Sequence, residues 1–570
     1  MENVDYARTL GEIADLLELQ GANVFRVRAY RNAARTIETL SQSIDSLLED
    51  EDARLVDLPS IGKDLAAKIT ELYETGELEF LAELREEVPT SLIEIMRIPS
   101  LGPKRAKQLW EALDITSIDD LEDAARSDAL LELPGFGETL QARVLTGIKQ
   151  LRARVGRFKL SEADVYAEPL LDYLRKAEGV VDLEIAGSYR RRCETVGDLD
   201  ILATTSQGSA IMDHFVAYGG VEDVLVNGPT KSSVRLASGL QVDLRLVARE
   251  SYGAALYYFT GSKAHNIAVR GIARERGLKV NEYGVFSGDD PIAAATEEDV
   301  FASVDLPWIP PELREDRGEI QEARAGRLPK LIELTDIRGD LQMHSQSSDG
   351  ENTIDELVQA CRERGYEYMA ITDHTPALAM NGVEPSEFKK QYKRIDKLQE
   401  KYDDIRILKS AEVDILGEGE LDLDDDLLDL MDIVVIAVHT RFTMSRAQMT
   451  RRIVRAMQHR KVNILAHPTG RLINRREPYP VDIEELVRVA REEGILLELN
   501  AQPHRLDLRD IYVQMAKLAG VKIVISTDAH RIIELDHMRY GVDQARRGWL
   551  ERTDVANTYS LAQFLELAKR

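Results

Sequence analysis

Six times in the C-terminal part of the chain a short apolar run ends in a polar side chain: Tyr368 to His374, Ile407 to Glu412, Val434 to His439, Val462 to His467, Leu496 to Asn500 and Ile523 to Asp528. The run ends lie roughly 27 to 38 residues apart, room for one strand and one helix each, which is the period of a β/α barrel. Barrel chemistry sits at the carboxyl ends of the strands, where all six polar residues fall. Histidine follows the same distribution: eight of the ten, all but His214 and His265, come after residue 335. Surface histidines scatter, so a cluster points to a metal site.

The candidate ligands are His344, Asp349, His374, Glu412, His439, His467, Asp528 and His530, all in strand-end or loop contexts. Imidazoles mixed with carboxylates suit Zn²⁺, Mn²⁺ or Fe²⁺, and eight ligands exceed the need of one ion, so two or three ions are expected. Neighbouring ions of this kind can generate hydroxide and clamp a phosphoester.

A chain of 570 residues is too long for one core, and at roughly 150 residues per domain it divides into three or four. With 44% hydrophobic and 30% charged residues it is globular in composition, and no apolar run is long enough to span a membrane. The start of the chain carries Glu2 and Asp5 and no secretory pattern, and Cys193 and Cys361 match no ligand spacing. Both points predict a reducing, cytoplasmic setting. The net charge of -27 argues against coating nucleic acid by bulk electrostatics, so any DNA contact must be local.

The first 150 residues read as helices, with apolar positions at helical spacing in Ala7 to Leu17 and Asp64 to Leu72. Three segments here look alike: Leu58-Pro59-Ser60-Ile61-Gly62-Lys63, Ile98-Pro99-Ser100-Leu101-Gly102-Pro103-Lys104 and Leu133-Pro134-Gly135-Phe136-Gly137. Each is a Pro/Gly turn feeding a helix, which aims free backbone N–H groups at an anion. The three resemble helix-hairpin-helix motifs, which implies sequence-independent gripping of DNA phosphates at Gly62, Lys63, Gly102, Lys104, Gly135 and Gly137.

Strand-like runs then appear at Val181 to Ile185, Asp198 to Ala203, Val234 to Leu246 and Lys279 to Phe286. Asp198 and Asp200 alternate on a strand, so both carboxylates face one side, and Asp243 interrupts a second apolar strand where an unpaired charge is costly. Three carboxylates can hold two Mg²⁺ ions for in-line phosphoryl displacement, although paired aspartates also occur in surface hairpins. With Gly187-Ser188-Tyr189-Arg190-Arg191 before them and Tyr258-Phe259-Thr260-Gly261-Ser262 after Asp243, residues 1–315 resemble the family X DNA polymerases. The resemblance implies that Asp198, Asp200 and Asp243 are catalytic metal ligands and that Ser188, Arg191 and Gly197 hold an incoming triphosphate. It also implies that Tyr258, Phe259 and Gly261 pack at its sugar, and that Asn266 and Arg270 contact the nascent base pair and template. In the N-terminal helices it implies that Arg26, Tyr30 and Lys63 lie near a 5′-phosphate. Lys68 falls where the family's lyases carry a Schiff-base lysine, and it reads equally as a solvated charge.

Beyond the proline-rich stretch from Leu306 to Pro329, the motifs Asp340-Leu341-Gln342-Met343-His344, Ile371-Thr372-Asp373-His374, Ala437-Val438-His439, Ala466-His467-Pro468 and Thr527-Asp528-Ala529-His530 resemble the PHP (polymerase and histidinol phosphatase) domain. One position departs: the usual HxH opening has Gln342 in place of its first histidine, a weak neutral donor, so one ion should be held less tightly. The expected architecture is multidomain. A helical DNA-end-binding domain spans 1–85, a helix-hairpin-helix subdomain 86–155, an α+β nucleotidyltransferase palm 156–245 and a nascent-base-pair subdomain 246–315. A linker (316–335) and a distorted β/α barrel (336–570) follow. The resemblance implies a gap-filling DNA polymerase using dNTPs on gapped or nicked duplex, monomeric and held at the nucleoid through DNA. It carries Mg²⁺ in the palm and Mn²⁺ or Zn²⁺ in a PHP domain with 3′-5′ exonuclease and AP-endonuclease activity. Two alternatives stay open: a purely structural PHP domain, and a DNA-end-binding scaffold without catalysis.

Overall fold

The computed structural model describes residues 3–38, 40, 42–49, 54–96, 98, 100–153, 157–206, 210–378 and 381–569. It divides into two compact units, Met1–Val155 and Gly156–Arg570.

The first unit is all helical. Tyr6, Leu10, Ile13 and Leu17 recur every three or four residues on helix Asn3–Gln20, and Val27, Tyr30, Ala34 and Ile37 do so on Val24–Glu38; these stripes are buried against one another and the helices behind them. The three similar segments fold alike. Ser60, Ser100 and Gly135 take φ of 63°, 73° and 83°, and the next amide in each (Ile61, Leu101, Phe136) donates back to Leu58, Ile98 and Leu133 at 3.2, 3.0 and 3.1 Å. A residue of positive φ after proline is the signature of a tight turn. Ile61, Leu101 and Phe136 plug the core, while Gly62 and Gly102 are exposed and open helices Lys63–Thr75 and Pro103–Leu113. Helix Glu138–Ala153 follows the exposed Gly137. Pro99 of the second copy lies outside the described residues.

The second unit opens with a five-stranded sheet whose strands lie side by side as Val180–Ile185, Asp198–Thr205, Gln241–Leu246, Lys231–Leu236 and Val221–Asn227. Only Asp198–Thr205 and Gln241–Leu246 run parallel, in a register that sets Asp200 opposite Asp243. Leu199, Ile201, Ala203, Val242 and Leu244 bury one face beneath helix Leu160–Leu174. The run from Val234 to Leu246 is a hairpin, because Ser238 and Gly239, the latter at φ 86°, turn the chain between Lys231–Leu236 and Gln241–Leu246. Likewise the run from Lys279 to Phe286 is a hairpin of Leu278–Asn281 and Gly284–Ser287.

Residues 316–335, expected as a linker from the prolines and dense charge between Leu306 and Pro329, are packed: helix Glu319–Arg324 buries Glu319, Ile320 and Ala323, and Leu331 pairs with Glu551. Glu319 is satisfied internally, accepting the amides of Asp316 (2.9 Å) and Arg317 (2.7 Å) and lying 2.7 Å from His265 Nδ1. The Glu319 charge is therefore paired inside the fold.

Beyond it, strands Gly339–Asp340, Tyr368–Ile371 and Arg406–Lys409 form one parallel sheet. Glu412–Asp414, Val435–Ala437, Ile464–Leu465, Leu496–Asn500 and Ile523–Ser526 form another. Parallel bridges His374↔Glu412 and Met343↔Ala529 join the two sheets on both sides, so the strands follow one another around a ring with helices outside, a distorted β/α barrel. Each apolar run of the sequence overlaps one of these strands, and each polar terminus lies at its carboxyl end or just beyond it; Glu412 falls three residues past Arg406–Lys409 and opens the short continuation Glu412–Asp414.

Candidate active sites

In the palm, Asp198 is exposed, Asp200 half-buried and Asp243 buried. Burial and the neighbouring Asp198 and Asp243 push Asp200 up to about 6, as expected where carboxylates crowd without a cation between them. Asp243 moves the other way: burial is overcome by donors from Lys231, Gln241 and Ser233, with Lys231 Nζ at 2.7 Å and Gln241 Nε2 at 3.1 Å. Lys231 thus supplies the nearer positive charge at Asp243, with Arg245 Nη2 at 3.8 Å from the same oxygen. Sequence reasoning missed it, since a lysine in an exposed hairpin carries no signal. Asp200 Oδ2 would lie 3.2 Å from a Cβ at Gly187, whose φ is 64°, so glycine lets the loop approach the carboxylate. Ser188 follows on the short helix Gly187–Arg190, and Gly197 is exposed just before Asp198.

Arg191 is more engaged than a free phosphate ligand: its Nε donates to Glu315 (3.0 Å) and its Nη1 to the Thr260 carbonyl (2.6 Å). Tyr258 and Phe259 are half-buried at the end of helix Tyr252–Thr260, packed edge to face, with Arg245 over the Phe259 ring at 4.4 Å. Gly261 caps that helix at φ 71°. Asn266 is buried and donates to the Tyr258 carbonyl (2.8 Å), leaving its Oδ1 without a partner, and the exposed Arg270 reaches back to the Asn266 carbonyl.

In the N-terminal unit, Arg26, Tyr30 and Lys68 gather around Phe80, with Arg26 5.0 Å and Lys68 5.2 Å from its ring centre and Tyr30 stacked at 6.3 Å. Burial raises the Tyr30 hydroxyl. Lys68 is ion-paired to Asp64 at 2.7 Å. Lys63 stands exposed at the start of the same helix, and Lys104 is exposed on Pro103–Leu113.

At the carboxyl ends of the barrel strands, all eight candidate ligands converge. Three overlapping groups, His344/Asp349/His374/His530, His374/Glu412/His439 and His344/Glu412/Asp528, each bring their ligand atoms within 4.8 Å of one another. His467 Nε2 lies 2.7 Å from Glu412 Oε1, the carboxylate the last two groups share. Buried ring nitrogens of His344, His374 and His467 have no hydrogen-bond partner, and burial without compensation is what a cation site leaves behind. The donor set fits two or three ions of the kind expected. Burial alone would raise Glu412, but the adjacent His439 and His374 hold it well below the carboxylate range, and the same attraction lifts His439 to about 10. Gln342 is 1% exposed and neither its amide oxygen nor its nitrogen is paired.

Supporting side chains surround the ligands. Asp414 sits 3.1 Å from His439 Nδ1, Glu498 accepts the His467 amide at 2.7 Å, and Glu534 accepts the His530 amide at 2.9 Å. Sequence reasoning passed over all three. Asp414 alternates with Glu412 and Glu498 interrupts the apolar strand Leu496–Asn500, the same two signals that singled out the palm aspartates; Glu534 carried none.

Comparison with known proteins matches this arrangement piece by piece. The helix-hairpin-helix domain profile matches residues 1–78, the SAM-like helix-hairpin-helix tandem 92–150, the DNA polymerase beta thumb 255–315 and the PHP domain 340–502. The chain is 39% identical over 575 residues to the DNA polymerase/3'-5' exonuclease PolX of Bacillus subtilis (strain 168), covering 100% of both proteins. It is 25% identical to DNA polymerase lambda of Rattus norvegicus over 55% of this chain and 56% of that one. It is also 33% identical to a probable phosphatase of Syntrophotalea carbinolica over 28% of this chain and 64% of that one. Polymerase-like features before residue 315 and a metal-ligand ring after 336 thus occur together in one relative from end to end, and the chain belongs to the family X DNA polymerases that carry a C-terminal PHP domain.

Proposed function

We propose that the protein is a DNA polymerase that fills short gaps in DNA repair and that its PHP domain trims the same strand as a 3′-5′ exonuclease, with cleavage at abasic sites as a further activity. The observation that carries the polymerase reading is the register that faces Asp200 with Asp243 across parallel strands, Asp198 two residues away on the same face. In this reading Asp198, Asp200 and Asp243 hold Mg²⁺. When bound, such ions stabilise charge on a transferring phosphoryl group and lower the pKa of the attacking hydroxyl. Ser188 and the loop glycines Gly187 and Gly197 present donors to the dNTP phosphates, and Arg191 adds a cation. Tyr258 and Phe259 bound the sugar, while Asn266 and Arg270 face base and template.

The N-terminal unit grips DNA through the exposed amides of its turns, and the Arg26–Tyr30–Lys63–Lys68 face takes a 5′-phosphate. In the PHP domain His344, Asp349, His374, Glu412, His439, His467, Asp528 and His530 hold two or three Mn²⁺ or Zn²⁺ ions. Asp414 and Glu498 fix the orientation of two of those ligands. The protein works as a monomer on gapped or nicked duplex in the cytoplasm; among the described residues no helix is long and apolar enough to cross a membrane.

One gapped, 5′-phosphorylated duplex tests both halves. With Mg²⁺ or Mn²⁺ and dNTPs the primer should lengthen; without dNTPs it should shorten. Asp198→Asn should abolish extension and spare shortening, because it removes one ligand charge from the palm alone. Equal extension by mutant and wild type would sink the assignment, and a wild-type protein that never shortens the primer would leave the PHP domain structural.

A further inference from the structure

Arg191 shares its acidic partner with an arginine from the far end of the chain. Glu315 Oε1 accepts from Arg191 Nε at 3.0 Å and from Arg547 Nη1 at 2.9 Å, and the same Nη1 donates to the backbone carbonyl of Arg191 at 2.8 Å. Arg547 is the last residue of helix Met538–Arg547, in the region that carries the PHP ligands, and its Nη2 is anchored to Asp510 Oδ2 at 2.8 Å. Asp510 also takes Arg317 at 2.9 Å. The side chains are withdrawn from water: Arg547 is 7% exposed, Asp510 8%, Glu315 15% and Arg191 14%. Meanwhile Arg191 Nη1 is tied to the Thr260 carbonyl, and among the described residues Nη2 meets the sulfur of Cys193 at 3.8 Å.

Two guanidiniums on one carboxylate determine how tightly each is held. In a poorly solvated site a carboxylate that belongs to a single guanidinium forms a strong, charge-assisted pair, and a phosphate must outcompete it. A carboxylate divided between two guanidiniums holds each less firmly, leaving net positive charge at the pair. Arg547 is anchored at three points, Glu315, Asp510 and the Arg191 carbonyl, whereas Arg191 is held at two, Glu315 and the Thr260 carbonyl. The division therefore favours release of Arg191.

We infer that Arg547 is a positioning residue for nucleotide binding: by drawing off the charge of Glu315 it keeps Arg191 available to the incoming triphosphate, so that the C-terminal domain contributes to the polymerase site. This rests on the reading of Arg191 as a triphosphate ligand.

Single-nucleotide insertion on a gapped duplex, with the full-length protein, separates the possibilities. Arg547→Met should raise the KM for the dNTP about tenfold with kcat changed far less, since uniform binding is what is lost. Arg547→Lys should restore most of the difference, and Arg547→Met/Glu315→Gln should return the KM toward wild type because the competing charge has gone. A network that is only structural predicts the opposite split: fewer active molecules and a lower apparent kcat at unchanged KM, with no recovery in the double variant. Either result overturns the inference. If Arg547→Met does not fold, Glu315→Gln alone decides, with a KM at or below wild type expected and a rise overturning the idea. Arg191→Ala serves as the control on the underlying reading. Should it leave the KM unchanged, that reading falls and the inference with it; should it raise the KM while Arg547→Met does not, the inference alone falls.

Discussion

At the scale of single residues, the most informative position is Gln342. It stands where the domain's usual pattern has a histidine, and its amide is buried with no partner at either end. A buried primary amide left unpaired costs free energy, on the order of 1–3 kcal/mol, which a bound ion or water at this position would offset. A neutral oxygen is a weaker donor than imidazole toward Mn²⁺ or Zn²⁺. Nuclease activity is therefore expected to need Mn²⁺ in excess, and Gln342→His should lower the concentration that gives half-maximal cleavage. His344→Ala or His374→Ala should remove cleavage and leave polymerisation largely intact. Titrating Mn²⁺ on a 3′-labelled primer measures all three variants; an unchanged half-saturation point in Gln342→His would show that residue 342 touches no ion.

Secondary-structure elements explain why some of the site was legible in the sequence and some was not. Alternation on a strand put Asp198 and Asp200 on one face, and a charge in an apolar run flagged Asp243, because both signals are local. Five of the eight candidate PHP ligands, His374, Glu412, His439, His467 and Asp528, were legible because strand ends recur with the barrel period; His344, Asp349 and His530 lie outside that period. Lys231 and the Arg547–Glu315–Arg191 contact were not, since they join residues up to 356 positions apart with no periodicity to mark them. Composition misled at 316–335, where the prolines and charge of Leu306 to Pro329 suggested a linker and buried pairing of Glu319 made a packed helix. The hairpins hidden in two long runs differ from single strands only through turns at Ser238-Gly239 and Glu282-Tyr283.

The helix-hairpin-helix turns show legibility at its best, with positive φ falling on the same member of each copy. Their exposed amides predict that affinity for gapped DNA rises with a 5′-phosphate and falls in Lys63→Ala/Arg26→Ala, by about tenfold for two lost charge-assisted contacts. Fluorescence anisotropy with phosphorylated and hydroxyl ends measures it, and indifference to the phosphate would reduce the unit to a bundle.

The larger compact unit is held together by buried carboxylate–arginine pairing as well as by apolar cores, and this makes its stability depend on pH. Glu297 is the centre of one such knot: Arg190 donates to both its oxygens at 2.8 and 2.9 Å, Arg314 at 2.6 and 3.2 Å, and Trp308 Nε1 at 3.0 Å. Burial alone would raise Glu297, but Arg314 and Arg190 overcome it and hold the carboxyl at about 2. A carboxyl depressed on folding binds its proton more readily when unfolded, so its contribution is complete above the ordinary value of about 4.5 and is lost as pH falls toward 2. The size of that contribution is about 3 kcal/mol. Glu297→Gln keeps the shape and removes the charge, leaving two buried guanidiniums facing a neutral amide, which should destabilise the unit by roughly 3–5 kcal/mol at pH 7. The gap between variant and wild type should then narrow by about half at pH 3, because there the unfolded wild type already binds the proton that the folded, still ionised carboxyl does not. Urea denaturation followed by Trp308 fluorescence, with Trp110 and Trp549 replaced by Phe, reads this locally. A gap of the same size at both pH values would mean that the knot stabilises by shape and not by charge.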